Sequence, residues 1–219
     1  MKKWKEDKRE QRRSLIVRCA RKCFFRFGLK GATMESIARE CRLAKGTLYL
    51  YFSGKEDLYA SLLEEGQRLL NQAVEAAVMK ATGDIEQQLL DIAATYHRFA
   101  ENNREYFQII MMFDYDLLSS RVSSEKLEHI HALQAEGCRT IEGLISEGMA
   151  KGLFPPDTDV AMAVRSSWAM LHGGIFLTEK RMQNLPLLMD LDEKTFNSAL
   201  MQIMLRSLKA GFITYPQVR

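Results

Sequence analysis

Between Thr33 and Leu58 the chain sets hydroxyl, ammonium and phenol groups along two short segments of helical spacing. The run is Thr33-Met-Glu-Ser-Ile-Ala-Arg-Glu-Cys-Arg-Leu-Ala-Lys-Gly-Thr-Leu-Tyr-Leu-Tyr-Phe52, followed by Ser53-Gly-Lys-Glu-Asp-Leu58. Such groups, with the N–H groups at helix termini, are the usual partners of nucleic-acid phosphates. Ile37, Ala38 and Cys41 share one helical face, and Leu48, Tyr49 and Phe52 repeat that spacing. Two short amphipathic helices joined by a tight turn make a helix-turn-helix, whose second helix can enter a DNA major groove. Lys45, Gly46 and Thr47 open that second helix, small or basic residues that let backbone and side chains approach a duplex. The pattern reads as a DNA-reading head.

The charge distribution points the same way. The formal net charge of the 219 residues is only +3. Residues 1–60, however, hold 16 Lys and Arg against 7 Asp and Glu, a net of +9, which leaves −6 for residues 61–219. A basic end joined to an acidic body is the electrostatic footprint of a nucleic-acid-binding segment attached to a part with another task. Hydrophobic residues at 47% and charged residues at 27% argue against wholesale disorder. The basic N-terminus lacks the apolar core of a signal peptide, and no apolar run approaches the roughly 18 residues of a spanning helix. The chain is therefore expected to be cytoplasmic, with no membrane partner. Its four cysteines suit a reducing compartment, and Cys19 and Cys23 share an apolar helical face with Ile16, Ala20 and Phe27, so core packing is expected there rather than a metal site. Neither a cofactor nor a metal is expected.

The elements that must position these groups all read as helices. No segment alternates apolar and polar residues with β-branched enrichment. A first helix is expected from about Glu10 to Phe27, with Ile16, Cys19, Ala20, Cys23, Phe24 and Phe27 inward and Gly28 as a left-handed cap. Thr33 is the expected N-cap of the second helix, and Ser53-Gly-Lys-Glu56 has the spacing of a capping box opening a long fourth helix that runs to about Thr82. A fifth helix buries Ile85, Leu89, Ile92, Tyr96 and Phe99. A sixth runs from Arg104 to about Leu118 and carries Phe107, Ile110, Met111 and Phe113. Ser124 caps a seventh reaching Met149, and Lys151-Gly-Leu-Phe-Pro-Pro-Asp157 is the clearest stop signal. Two further helices are expected, from about Thr158 to Met182 and, after Asn184-Leu-Pro186, from about Glu193 to Phe212. The fold class is all-α: a three-helix head over residues 1–55 on a larger helical body over 56–219.

With these residues in place, the sequence resembles the tetracycline-repressor (TetR) family of bacterial regulators. The matching positions are Phe24, Gly28, Thr33, Ile37-Ala38, Leu43, Gly46-Thr-Leu-Tyr49, Tyr51-Phe52, Lys55-Glu56 and Leu58. More loosely, Glu147-Gly148, Gly152-Leu-Phe-Pro155 and Trp168-Ala-Met-Leu-His-Gly-Gly174 look like the family's penultimate helix and the stretch before it. The resemblance implies a homodimer with two DNA-binding heads, each on an all-helical body that binds a small effector. It implies Thr33 capping its helix against a phosphate, Lys45, Gly46 and Thr47 at the groove-facing end, and Tyr49, Tyr51 and Lys55 at phosphates or bases flanking it. Base reading falls to Lys45, Thr47 and Tyr51. Two residues depart from the family's pattern. Arg42 stands where glycine is common in the turn, a strained place for a side chain unless it gains a phosphate contact. Ala44 stands where serine commonly caps the next helix, at a cost of about 1 kcal/mol.

The body supplies expectations of a coarser kind. Tyr96, Phe99, Phe107, Ile110, Met111, Trp168, His172 and Phe176 are candidates to line one effector pocket, with His172 either offering a ligand hydrogen bond or satisfied within the core. Methionines concentrate in the second half and adapt to irregular apolar ligands, so an apolar or amphipathic effector is expected. Phe196, Leu200, Ile203, Ser207 and Gly211 mark a stripe on the last helix suited to a dimer interface or to internal packing. The function expected is a transcriptional regulator, a repressor released from a palindromic double-stranded operator by a small molecule. The alternative is a membrane-surface or partner-binding protein using its basic N-terminal helix, which leaves Thr33–Leu58 unexplained. An enzyme is not expected, since no phosphate loop, metal-spaced histidine cluster or nucleophile motif is present.

Overall fold

The computed structural model describes residues 2–81, 84–111, 115–178 and 192–211. Those residues are helical, with no strand among them: α1 (Lys2–Gly31), α2 (Met34–Cys41), α3 (Lys45–Tyr49), α4 (Lys55–Lys80), α5 (Ile85–Asn102), α6 (Arg104–Met111), α7 (Tyr115–Ser119), α8 (Ser124–Ala150), α9 (Val160–Thr178) and α10 (Glu193–Lys209). They pack as two compact units, Met1–Leu69 with Asn103–Gln134, and Leu70–Asn102 with Ala135–Arg219. The continuous helices α4 and α8 each contribute to both units.

In the first unit, Ile16, Ala20, Cys23 and Phe24 of α1 are buried with Ile37, Ala38 and Cys41 of α2 and Leu48 and Phe52 at α3. Helical spacing places all of these correctly. It fails at Phe27, which is 56% exposed. The reason stands next to it: Gly28 has φ 65 and ψ 176, a backbone region open almost only to glycine, so helical periodicity ends there. Gly28 thus breaks the helix as expected, but by an extended left-handed kink rather than a compact cap. α1 also begins at Lys2, earlier than the first apolar residue of its stripe suggested. Arg21 on α1 pairs with Glu105 of α6 at 2.7 Å and lies 4.6 Å above the Tyr106 ring, and the Tyr59 hydroxyl on α4 donates to the Ile109 carbonyl at 3.0 Å. The three-helix head therefore packs with α4 and α6 as one body.

In the second unit, Ile85, Leu89, Ile92, Tyr96 and Phe99 of α5 are buried as their spacing requires. α9 and α10 approach closely at Gly174, where a Cβ would stand 2.5 Å from Leu200 Cδ1 and 2.9 Å from Asn197 Oδ1. Before α9, Gly148 leaves room for the buried Phe154 ring, whose edge a Cβ there would overlap. Lys209 reaches Glu86 at 2.8 Å, and Asn197 bonds His97 at 2.7 Å.

Several boundaries differ from the sequence expectations. The stretch expected as one sixth helix is described as α6 and α7, with Phe113 outside the described residues. The cap of α8 is Ser123, whose hydroxyl accepts the Lys126 N–H at 3.4 Å, not Ser124. α9 is described to Thr178 and α10 to Lys209. The expected ends at Thr82, Met182 and Phe212, and the Asn184–Pro186 break, lie outside the described residues.

Candidate nucleic-acid interface

α2 is held at both ends by hydrogen bonds legible in its sequence. The Thr33 hydroxyl accepts the Ser36 N–H at 3.0 Å, and the Ser36 hydroxyl oxygen accepts the Thr33 N–H at 3.0 Å, a reciprocal capping box. At the other end Arg42 adopts φ 55 and ψ 44, and Leu43 N–H reaches back to the Ala38 carbonyl at 2.9 Å. This is the left-handed stop in which glycine is usual. Arg42 is the one described residue other than glycine with positive φ, so the turn keeps its geometry despite a cost of roughly 1–2 kcal/mol. Arg42 itself is exposed.

α3 follows after Leu43 and Ala44. Ala44 is its N-cap and makes no side-chain capping bond. Leu48 is fully buried and fixes the helix to the core, as Phe52 does just beyond it. Lys45, Gly46 and Tyr49 are exposed, while Thr47 and Tyr51 are half-buried. At Gly46 a Cβ would meet nothing within 4 Å in this chain, so its smallness is not required by the protein's own packing. Leu50, at the C-cap of α3, is 75% exposed beside the half-exposed Tyr49. Sequence reading missed Leu50. Its signal was available, because it is apolar yet off the face that Leu48 and Phe52 share.

Lys55 requires a correction. Expected at a phosphate, its ammonium instead donates to the carbonyls of Leu29, Lys30 and Ala32 at 2.8, 3.2 and 3.0 Å. An ammonium has three N–H bonds, and here all three close the link between α1 and α2. The capping box expected of Ser53 and Glu56 also changes partner. The carboxylate that reaches back is that of Asp57, whose Oδ2 accepts the Ser53 N–H at 2.9 Å and its hydroxyl at 3.2 Å. Burial pulls the Asp57 carboxyl upward, but hydrogen bonds from Lys126 and Ser53 and the Lys126 charge outweigh it and hold the pKa below the ordinary carboxylate range.

The residues expected to line an effector pocket divide between the two units. Phe107 and Ile110 are buried and Met111 half-buried in the first. Tyr96, Phe99 and His172 are buried in the second, whereas Trp168 and Phe176 are 54% and 48% exposed on α9. His172 is satisfied within the protein. Its Nε2 lies 2.7 Å from the Tyr96 hydroxyl and its Nδ1 3.1 Å from the Trp168 carbonyl, with the Trp168 ring 3.8 Å away. Burial holds its pKa down at about 4, so it is neutral at pH 7, and burial raises that of Tyr96.

On α10, Ile203 is 52% exposed and Phe196 and Ser207 are half-buried. Leu200 instead packs toward Gly174 of α9. Gly211, at φ 72 beyond the helix end, leaves 3.3 Å between a Cβ placed there and Pro155. These two members of the expected stripe serve the chain's own packing.

Residues 16–62 match the family model for bacterial regulatory proteins of the tetR family. The transcriptional repressor NicS of Pseudomonas putida is 29% identical over 154 residues, covering 70% of this chain and 71% of that protein. The regulator YhgD of Bacillus subtilis is 35% identical over 71 residues, 31% of this chain and 37% of its own length. Among solved structures, the regulator FadR of Bacillus subtilis in complex with stearoyl-CoA superposes with a TM-score of 0.68 over 90% of this chain and 98% of its own, at 18% identity, a likeness of fold. With the capped α2, the left-handed turn and the exposed face of α3 falling inside the matched segment, the chain is a DNA-binding transcriptional regulator whose head, residues 16–62, is of the TetR type.

Proposed function

We propose that this chain is a cytoplasmic repressor that binds a palindromic operator as a homodimer, and that it acts by binding rather than by turnover. Residues 1–55 read DNA, and residues 56–219 bind an effector and dimerise. The observation that carries the reading is the exposed surface of α3, where Lys45, Gly46 and Tyr49 are exposed with Leu50 at the C-cap, Thr47 is half-buried among them, and Leu48 is buried beneath. Thr33, Arg42 and Tyr51 meet phosphates or base edges around it, and Leu50 meets a thymine methyl, the apolar mark of the major groove. Sequencing the duplexes that the purified chain selects from a random pool tests this. Inverted half-sites are expected, and fragments without inverted symmetry overturn it.

An apolar or amphipathic effector is supported by Tyr96, Phe99 and the neutral His172, a mostly apolar group with one polar pair. NicS is a repressor by name and FadR was solved with stearoyl-CoA, which makes acyl thioesters the first probes to titrate. Release of selected operator by stearoyl-CoA at stoichiometric concentration is the expected result for a ligand of that class. A membrane role has less support. Among the described residues no helix is long and apolar enough to cross a membrane, and such a role would leave α2 and α3 without a task.

A further inference from the structure

α3 has five residues, too few to hold its own direction, and its N-cap Ala44 makes no side-chain bond. Leu48 anchors it to the core, and the rest of its orientation depends on the exit end, where the chain passes Phe52 and Ser53 into α4. There the Ser53 N–H and hydroxyl are both held by Asp57 Oδ2. The other carboxylate oxygen, Oδ1, accepts from Lys126 in an ion pair. Lys126 lies in the first turn of α8, 73 residues beyond Ser53. Its ammonium also donates to the Asp57 carbonyl at 3.0 Å and to the Ser61 hydroxyl at 2.6 Å. All three ammonium protons are thus engaged on the first turns of α4. The pair is not a loose surface contact, since the Lys126 and Asp57 side chains are only 18% and 20% exposed. The beginning of α8 is seated around it, with Leu127 and Ile130 buried and His129 3.4 Å from Glu64 of α4.

We propose that Lys126, outside the three-helix head, is a positioning residue for DNA binding, acting through Asp57 and Ser53 on the exit of the recognition helix. The inference rests on the reading that the head binds DNA. Because α8 is unbroken from Ser124 to Ala150, any force that shifts or fixes this helix acts on the same carboxylate. Lys55, two residues before Asp57, simultaneously ties α4 to the α1–α2 link. The first turn of α4 is therefore a junction between the reading head and α8.

The test uses the full-length chain and duplexes selected by the wild type. Lys126→Met keeps the stem and removes the ammonium. Operator affinity should fall about tenfold, the scale of one lost charged hydrogen bond, at an unchanged salt slope. Amide exchange should quicken at residues 45–57, and Lys126→Arg should recover most of the affinity. Asp57→Asn, which keeps an acceptor for Ser53, should cost the same, and the double variant no more than either single one. Affinity within twofold of wild type, a slope shallower by about one unit (which would put Lys126 on a phosphate), or additive losses would overturn the proposal. If Lys126→Met does not fold, the Asp57→Asn measurement decides alone, by the same affinity and slope criteria. A wild-type chain that selects no duplex overturns the DNA reading itself, and the role of Lys126 with it.

Discussion

A lysine in a basic head is easily taken for a phosphate ligand, yet the three carbonyls around Lys55 assign it to the fold. Lys55→Met should lower the unfolding free energy by about 1–3 kcal/mol, because carbonyls of Leu29, Lys30 and Ala32 lose a charged donor. The salt slope of DNA binding should stay unchanged, whereas a slope shallower by about one unit would restore Lys55 to the phosphate backbone. Leu50 calls for the opposite kind of measurement. Replacing single thymines of a selected operator by deoxyuridine removes only a methyl group. One such position should cost the wild type affinity and cost Leu50→Ala nothing further, within the roughly 1–3 kcal/mol of a single base contact. Equal sensitivity of both proteins at every thymine would exclude Leu50 from reading. The contrast shows what sequence reveals at this scale. Thr33 as a cap was legible because capping is a local hydrogen-bonding problem, and the left-handed turn at Arg42 was signalled by the resemblance to a family that commonly keeps glycine there. The fate of the Lys55 ammonium was not, because it depends on where residues 29–32 lie in space.

At the scale of elements, helical spacing recovers which face is buried but not what buries it. The inward faces of α2 and α5 follow from their periodicity. On α10 the same periodicity groups Leu200 with Ile203, although one packs toward Gly174 and the other faces outward. A stripe cannot tell an internal neighbour from a partner chain, since both reward the same spacing. The approach of α9 to α10 can be tested at Gly174. A methyl there would lie 2.5 Å from Leu200 Cδ1 and 2.9 Å from Asn197 Oδ1, so Gly174→Ala should destabilise the second unit by about 1–3 kcal/mol despite alanine's better helix propensity. Gly143→Ala, in the interior of α8 with nothing within 4 Å of the added methyl, should instead stabilise by up to about 1 kcal/mol. Thermal melts that move in the same direction for both variants would refute the close helix approach.

At the scale of the whole molecule, two features remain unbalanced in a single chain. One is the charge, with +9 over residues 1–60 against −6 over the rest, which favours the head at a polyanion and keeps the body from it. The other is apolar surface on the last helix pair, where Trp168, Phe176 and Ile203 are each about half exposed. Large apolar side chains left outside on helices of one unit favour a second copy as their cover. Two heads joined this way must match half-sites about one helical turn apart, ~34–36 Å or a multiple. Ile203→Glu places a charge in that surface and should yield a monomer of 25.2 kDa by sedimentation, still helical by circular dichroism. In a Trp4→Phe background Trp168 is the sole tryptophan, and its emission should shift to the red and its quenching by iodide should rise as the cover is lost. Operator affinity should fall at least about a hundredfold, because the second head no longer binds at the effective concentration set by the first. A half-site duplex should be bound as well by the variant as by the wild type. If Ile203→Glu remains dimeric with Trp168 equally shielded, the interface lies elsewhere on the molecule and the exposed face of α9 and α10 has another purpose.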